Sequence, residues 1–300
     1  MTPRVFPLPG NGDLAARLAR RLGADLGELT VRRFPDGESY VRFDTPPAGR
    51  SVVLVCTLDR PDEKVVPLCF AASTARELGA ERVGLVAPYL AYMRQDARFQ
   101  PGEGVTAPQF ARLLSGVVDW LVTVDPHLHR VAALTDIYRV PATAVASAGV
   151  VAAWLRAHVR APLVVGPDSE SAQWVRAVAD RADAPHVVLS KVRHGDREVE
   201  VSVPDVDRWR THTPVLVDDI ISTASTMIET VGHLRQTGLG APVCVGVHAV
   251  FAGHAYRDLL AMGPARVATC DTIPHASNAI ALDGPIAEHV RPLLEPHWRP

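Results

Sequence analysis

The chain has 300 residues, of which 47% are apolar and 21% charged, so it is long enough for two domains with sizeable cores. Its formal net charge of -2 argues against a nucleic-acid surface as its main function, and we expect no nucleic-acid partner. No stretch approaches the roughly 20 apolar residues of a transmembrane helix and no export segment is recognisable, so we expect a cytoplasmic protein without a membrane partner.

Four cysteines, Cys56, Cys69, Cys244 and Cys270, are widely separated and form no Cys-x-x-Cys pair. Most of them lie in apolar runs of the strand type. This pattern predicts reduced core thiols rather than a disulfide framework.

Apolar runs typical of strands alternate with stretches of helical periodicity. The predicted strands are 51–57, 82–87, 120–124, 163–165, 187–189, 214–217, 243–251 and 267–272. The predicted helices are 13–22, 64–78, 108–114, 150–159, 172–181, 227–236 and 256–262. The alternation predicts an α/β fold of mainly parallel sheets covered by helices, with ligand sites at the carboxyl ends of strands.

Both halves of the chain carry this pattern, which suggests two similar domains. Val124-Asp125-Pro126-His127 and Gly166-Pro167-Asp168 fall at comparable points, where a predicted strand gives way to a loop. No low-complexity linker separates the halves. We place the boundary before the helix that follows Pro141-Ala142-Thr143, which gives domains of residues 1–146 and 147–300.

Two hairpins are predicted. Asp36-Gly37 between extended segments is a strong hairpin signal, and Gly195-Asp196 forms a second such turn. Before the second turn, period-2 spacing places Lys191 and Arg193 on one face of the strand. Only two of the 31 basic residues are lysines, so Lys191 is unusual in this chain. By itself, a solvated hairpin face explains this pair.

Residues 215–226 carry the strongest local signal of a ligand site. An apolar run ends at Asp218 and Asp219, and a turn rich in hydroxyl groups then leads into a helix. Free N–H groups of such a turn attract an anion, and carboxylates suit ribose hydroxyls or a metal. The alternative is an Asx-type turn with an N-capped helix, which needs only one Asp or Ser.

The same stretch resembles the phosphoribosyl diphosphate (PRPP) motif of type I phosphoribosyltransferases and of ribose-phosphate pyrophosphokinases, the PRPP synthetases. Along nearly the whole chain, further segments resemble the pyrophosphokinase family in the same order. They are Gly10-Asn11-Gly12-Asp13-Leu14-Ala15, Arg33-Phe34-Pro35-Asp36-Gly37-Glu38, Pro88-Tyr89-Leu90-Ala91-Tyr92-Met93-Arg94-Gln95-Asp96, Val124-Asp125-Pro126-His127, Gly166-Pro167-Asp168 and Thr272-Ile273-Pro274-His275. Several motifs in the same order identify a family more specifically than any single motif does.

The resemblance implies a fold of two phosphoribosyltransferase-like domains. It also implies an enzyme that transfers the β,γ-diphosphoryl group of ATP to the C1 hydroxyl of ribose 5-phosphate, giving PRPP and AMP. It implies Mg²⁺ as the cofactor, and a homo-oligomer in which a neighbouring subunit contributes part of the ATP site. By the same resemblance, the expected catalytic residues are Lys191 and Arg193, and the expected metal ligands are His127 and Asp168. The residues expected to bind ATP are Phe34, Asp36, Glu38, Arg94, Gln95 and Asp96. The residues expected to bind ribose 5-phosphate are Asp218, Asp219, Ser222, Thr223, Ala224, Ser225 and Thr226.

Some residues depart from the common family pattern and look closer to its archaeal-type branch. The family commonly has glycine where this chain has Ser225, and often a second where it has Ala224. If the loop requires a positive φ there, a non-glycine residue carries strain of roughly 1 kcal/mol or more.

Two alternative functions remain open from the sequence. A non-catalytic regulatory relative would bind partner synthetase subunits, and loss of His127 or of the Lys191 and Arg193 pair would favour it. Neither loss is present. A phosphoribosyltransferase that consumes PRPP would explain only the stretch around Asp218.

Overall fold

The structure, a computed structural model, describes residues 2–98, 100–128, 130–168, 171–194, 198–202 and 206–295. For residues 190–194, 198–202 and 206 it describes the backbone alone. The side chains of Lys191 and Arg193 therefore lie outside the described part of the chain.

The chain divides into two compact units. Unit 1 comprises the residues up to Val145 together with the segment that begins at Asp283, and unit 2 is Ala146–Leu282. The elements of unit 1 are β1 (Arg4–Pro7), α1 (Gly12–Leu22), β2 (Asp25–Leu26), β3 (Leu29–Arg33), β4 (Ser39–Phe43), β5 (Ser51–Val55), α2 (Pro61–Glu77), β6 (Arg82–Ala87), α3 (Thr106–Ser115), β7 (Trp120–Val124) and β8 (Ala142–Val145). The elements of unit 2 are α4 (Ala148–His158), β9 (Pro162–Gly166), α5 (Ala172–Ala182), β10 (His186–Val188), β11 (Ser190–His194), β12 (Glu198–Ser202), β13 (Thr213–Ile221), α6 (Ser225–Gln236), β14 (Val243–Ala249), α7 (Ala255–Ala261), β15 (Arg266–Cys270) and β16 (Asn278–Ile280), after which α8 (Asp283–Val290) returns to unit 1.

Unit 1 is a six-stranded parallel sheet with the order β2-β1-β5-β6-β7-β8. Val52, Val53, Leu54 and Val55 of β5 are fully buried. Because successive side chains of a strand point to opposite faces, this continuous burial means that both faces of the sheet are covered. The antiparallel hairpin of β3 and β4 forms a separate small sheet.

Unit 2 repeats this topology. Its parallel sheet has the order β10-β9-β13-β14-β15-β16, and the hairpin of β11 and β12 again forms a separate small sheet. When the strands of each parallel sheet are numbered in chain order within their own unit, and the hairpin strands are left out, both sheets have the strand order 2-1-3-4-5-6. The predicted fold class, two similar α/β domains, is therefore confirmed.

The last helix differs from the predicted domain assignment. We expected residues 147–300 to form the second domain, but α8 packs against α1, β7 and β8 of unit 1. Asp283 at the start of α8 forms ion pairs with Arg17 and Arg21 of α1. Ile286 and Val290 of α8 are also buried. In unit 2, α4 packs against α5 and β16. Each unit therefore has one helix that packs against its first sheet-covering helix and against its last strand.

Most predicted strands and helices agree with the structure to within two or three residues. The short strands β1, β2, β8 and β16 and the helix α8 were not predicted. β13 runs on to Ile221, so Asp218 and Asp219 lie inside this strand rather than after it, and α6 begins two residues earlier than predicted.

Two further expectations concern the cysteines and the membrane. All four cysteines fall within the described residues and are free; three are buried and Cys69 is half-buried. Across the described part of the chain, no helix has the length and apolar character needed to cross a membrane.

Candidate active site

The phosphate loop, which we define as residues 222–226, lies at a topological switch point of unit 2. From β9 the chain first adds β10 on one side, and it later adds β13 on the other side. The carboxyl ends of β9 and β13 are therefore neighbours. In open α/β sheets, ligands bind in the crevice outside such a pair of strand ends.

The phosphate loop presents hydroxyl groups and an uncapped helix start. Ala224 precedes α6 with φ 58°, and no side-chain hydrogen bond caps this helix. Thr223 and Ser225 are exposed, and the Ser225 hydroxyl donates to Thr223 Oγ1 over 3.1 Å. The first N–H groups of α6 are therefore available to an anion. Of the two positions that commonly hold glycine in the family, only Ala224 has a positive φ.

Three carboxylates accompany this loop within unit 2. Asp218 Oδ1 accepts a hydrogen bond from the Asp219 N–H, and Asp219 Oδ1 accepts one from the Ile220 N–H. Burial raises the pKa of Asp218 to about 8, and the negative charges of Asp219 and Asp168 add to this shift. A cation or a row of sugar hydroxyls at this place would stabilise the ionised form of Asp218.

Asp168 follows β9 in the turn before α5. Its Oδ1 accepts a hydrogen bond from the Ser171 N–H, and its carbonyl accepts one from the Ser171 hydroxyl. Asp168 therefore stabilises the turn before α5, whose N-cap residue is Ser171. Glycine at 166 permits this arrangement, because a Cβ there would lie 2.6 Å from Ser171 Oγ and 2.7 Å from Val175 Cγ2.

In unit 1, the predicted ATP residues Phe34, Asp36 and Glu38 lie on the exposed tip of the β3–β4 hairpin. Asp36 Oδ1 accepts a hydrogen bond from the Glu38 N–H, and Gly37 has φ 96°, as a tight turn requires. The Arg32 guanidinium lies 4.6 Å from the centre of the Phe34 ring. The tip thus presents an aromatic ring with carboxylates close to it in sequence.

The second predicted ATP segment, Arg94, Gln95 and Asp96, follows β6. Arg94 is exposed, whereas the carboxylate of Asp96 is almost fully buried and binds the Arg130 side chain and N–H at 3.0 and 2.9 Å. Burial favours a higher pKa for Asp96, but Arg130 outweighs it and lowers the pKa below its usual value. Asp96 therefore ties this segment to the loop that carries His127, a pairing that the sequence did not predict.

His127 lies half-buried in the loop after β7. Among the described residues, no group of three or more His, Cys, Asp or Glu side chains is arranged to hold a metal ion. Lys191 and Arg193 lie on β11, in register with Val201 and Val199 of β12. The structure thus groups the predicted residues within each unit: the hairpin tip and the Asp96–Arg130 pair in unit 1, and the phosphate loop with its three carboxylates in unit 2.

Sequence profiles of two domains match the chain. The N-terminal domain of ribose phosphate pyrophosphokinase matches residues 4–117, and a phosphoribosyl transferase domain matches residues 135–283. A solved phosphoribosylpyrophosphate synthetase from Mycobacterium smegmatis has a similar fold, with a TM-score of 0.85 over 98% of this chain and 99% of that chain, at 23% identity.

Sequence relatives extend over nearly the whole chain. A ribose-phosphate pyrophosphokinase from Methanopyrus kandleri is 37% identical over 283 residues, which cover 93% of this chain and 96% of that protein. One from Halobacterium salinarum is 34% identical over 278 residues, which cover 92% of this chain and 96% of that protein. These matches confirm the resemblance seen in the motifs, and the chain belongs to the ribose-phosphate pyrophosphokinase family.

Proposed function

We propose that this chain is a ribose-phosphate diphosphokinase, which transfers the β,γ-diphosphoryl group of ATP to the C1 hydroxyl of ribose 5-phosphate and releases AMP and PRPP. The observation that carries the proposal is the phosphate loop at the switch point, preceded by two adjacent carboxylates in the last part of β13, the strand that leads into it. The names of the relatives from Methanopyrus kandleri and Halobacterium salinarum support this assignment.

In the proposed complex, the phosphate loop binds the 5-phosphate of the sugar. The hydroxyls of Ser222, Thr223, Ser225 and Thr226 and the first N–H groups of α6 supply the donors. Asp218 and Asp219 accept hydrogen bonds from the 2- and 3-hydroxyls of the ribose. Two anchors at opposite ends of the sugar fix its orientation, so the C1 hydroxyl is held for in-line attack on ATP.

ATP contacts the tip of the β3–β4 hairpin and the segment after β6. The Phe34 ring, which is 39% exposed, stacks on adenine. The carboxylates of Asp36 and Glu38 accept hydrogen bonds from the amino group of adenine. Arg94 binds phosphate. We propose, from the family resemblance, that the hairpin tip serves the site of a neighbouring subunit, which makes the functional protein a homo-oligomer. A cytoplasmic location fits four free thiols and an ATP-dependent reaction.

Mg²⁺ is the proposed cofactor, and the Asp168 carboxylate is the kind of oxygen donor that it prefers. Mg²⁺ takes only one or two protein carboxylates and keeps water and phosphate oxygens as its other ligands, so it needs no preformed cluster of side chains. Asp168 would be its carboxylate ligand and His127 would assist, as the family resemblance implies. When bound, the ion would neutralise charge on the phosphate groups.

Lys191 and Arg193 are the proposed catalytic cations. They occupy alternate positions of β11, and alternate positions share one face of a strand. Negative charge spreads over the transferred group in the transition state, and positive charges aimed there lower the barrier. Because Lys191 and Arg193 are proposed to act on the transition state, removing either should lower turnover more than it weakens ATP binding.

Phosphorus NMR of the purified protein with ATP, Mg²⁺ and ribose 5-phosphate tests the proposal. We expect AMP and a diphosphate ester at C1 of the sugar. In Lys191→Ala, turnover should fall by about 100-fold or more while the KM for ATP changes less than about threefold. Lys64→Arg, at the other lysine, should keep the activity of the wild-type protein.

The outcomes separate the competing functions. Equal losses in turnover and ATP binding would contradict the catalytic role of Lys191. A folded protein that binds ATP but forms no AMP and no PRPP would indicate a regulatory relative. Pyrophosphate release from PRPP that depends on an added base would indicate a phosphoribosyltransferase.

A further inference from the structure

The loop after β14 holds the start of the phosphate loop by two backbone hydrogen bonds. The Phe251 N–H donates to the Ile221 carbonyl over 2.8 Å, and the Ala252 N–H donates to the Ser222 carbonyl over 3.0 Å. These bonds join two segments that leave neighbouring strands of the unit 2 sheet. They fix the backbone at the point where the chain leaves β13.

Phe251 makes these bonds from a strained conformation. Its φ is 33°, in a region that bulky side chains rarely adopt, and such strain persists only where the surroundings impose it. Strain of this kind is concentrated at ligand sites.

An aromatic cluster holds the Phe251 ring. The ring is stacked on the His275 imidazole with centroids 4.7 Å apart and an interplanar angle of 30°. The Tyr256 ring contacts both, with its centroid 5.0 Å from that of Phe251 and 4.6 Å from that of His275. Each such aromatic pair stabilises its arrangement beyond simple burial.

The cluster is itself anchored to the sheet. His275 Nδ1 lies 2.7 Å from Ser277 Oγ, and the His275 N–H donates to Asn278 Oδ1 over 2.9 Å. Asn278 belongs to β16, and its amide group donates to Thr269 Oγ1 and to the Cys270 carbonyl of β15. The edge of the sheet therefore supports the Phe251 ring through a continuous set of contacts.

Unit 1 contains a comparable arrangement, which supports a positional role. After β6, the strand equivalent to β14, Tyr92 has φ 62° and its ring packs on Phe110 of α3, with centroids 4.8 Å apart. The Tyr92 hydroxyl is hydrogen-bonded to Asp62 in the first turn of α2. In both units, an aromatic residue with a positive φ thus follows the fourth strand. Phe251 is hydrogen-bonded to the end of the third strand by its backbone, and Tyr92 is hydrogen-bonded to the helix after the third strand by its side chain.

We propose that Phe251 is a positioning residue for the phosphate loop: its ring, held by Tyr256 and His275, keeps two N–H groups directed at the Ile221 and Ser222 carbonyls and so keeps the loop in its anion-binding conformation. This proposal rests on the proposed function, because it takes the 5-phosphate of the sugar as the ligand of the loop.

The first test is amide hydrogen exchange of the free protein, which requires no activity. Phe251→Gly removes the ring and tolerates a positive φ, so it introduces no new backbone strain. We expect exchange in residues 221–226 to become roughly threefold to tenfold faster, while exchange in α5 stays unchanged. Unchanged exchange in residues 221–226 would overturn the proposal, whether or not the protein makes PRPP.

The second test is binding by calorimetry. In Phe251→Gly, the Kd for ribose 5-phosphate should rise by roughly three- to tenfold, while the Kd for ATP stays within about twofold. Faster exchange with an unchanged Kd for ribose 5-phosphate would overturn the positioning role. Failure of the wild-type protein to form PRPP, with both effects present, would instead refute the proposed function and leave the positioning role supported.

A second variant and a control guard against general unfolding. His275→Gln removes the stacked ring and keeps a polar group near Ser277, and we expect a smaller change in the same direction. Trp209→Leu removes an aromatic ring that packs on the core of the same unit, edge to face with the His212 ring. Equal acceleration of exchange in residues 221–226 by Trp209→Leu would overturn the proposal.

Discussion

Ala224 holds a left-handed backbone conformation at the point where the phosphate loop enters α6. The position that follows, Ser225, is already helical. The two departures from the family pattern therefore differ in their physical consequence. A Cβ at a positive φ is strained, whereas a non-glycine residue in the first turn of a helix is favourable.

This contrast predicts opposite effects of glycine at the two positions. Ala224→Gly should stabilise the protein by about 0.5–1 kcal/mol, because the strain that it relieves exceeds the added freedom of the unfolded chain. Ser225→Gly, the matched control, should destabilise by about 0.5 kcal/mol. Urea unfolding measures both. Destabilisation by Ala224→Gly would show that the positive φ carries no strain.

Asp218 makes a pH-dependent contribution to stability. Its pKa of about 8 in the folded protein exceeds the usual value of 3.8, so between these values the folded protein binds more protons than the unfolded chain. The contribution is fully present below pH 4 and is lost as the pH rises through 8. Burial is the main cause, and the charge of Asp219 comes second.

We therefore expect the stability of Asp218→Asn, relative to the wild-type protein, to increase from pH 5 to pH 9. Urea unfolding at pH 5, 7 and 9 measures it. Asp283→Asn is the control with the opposite sign, because Arg21 and Arg17 outweigh burial and lower the pKa of Asp283. Its stability deficit should stay constant over this range and shrink below about pH 4. A deficit of Asp218→Asn that grows with pH would contradict the raised pKa.

At the scale of elements, α8 shows how a short helix is fixed by a few contacts. Asp283 Oδ2 accepts from Arg21 Nε at 2.7 Å, and Asp283 Oδ1 lies 3.4 Å from Arg17 Nε. The Asp283 side chain is only 7% exposed, so its charge requires these partners. The helix is eight residues long, too short to be stable by itself.

Asp283→Ala should therefore destabilise the protein by about 1–3 kcal/mol, which thermal and urea unfolding measure. Asp207→Ala is the matched control, because Asp207 forms an ion pair of the same length with Arg210 but is 88% exposed. Its effect should be close to zero. Equal effects of the two substitutions would contradict a special role of Asp283 in holding α8.

At the scale of the whole molecule, the two units share one topology, but one is built from a single segment of the chain and the other from two. Unit 2 is one continuous segment and includes α4, whereas unit 1 needs α8 from the end of the described chain. A fragment of residues 146–282 should fold by itself and show cooperative unfolding by circular dichroism. A fragment of residues 1–145 should be unstable or aggregate because its α8 site is uncovered, and adding residues 283–300 should restore it. A fully stable 1–145 fragment would contradict this assignment.

Local patterns determined the parts of the fold and site that depend on neighbours in sequence. Apolar runs and helical periodicity predicted most elements because the covered parallel sheets bury nearly every residue of a central strand. Asp36-Gly37 predicted its hairpin because a tight turn needs a positive φ at glycine. The turn into α6 was predicted because the two acids, the hydroxyl residues of the phosphate loop and the helix are consecutive in the chain.

Only the tertiary structure decided the features that depend on distant residues. The pairing of Asp96 with Arg130, the return of α8 to unit 1 and the support of the phosphate loop by Phe251 each join segments that are separated by other elements. No local pattern marks Phe251 for a positive φ, because its ring is held by residues further along the chain. Sequence by itself determined element types and family and predicted the consecutive site residues, whereas long-range packing decided which segments hold them in place.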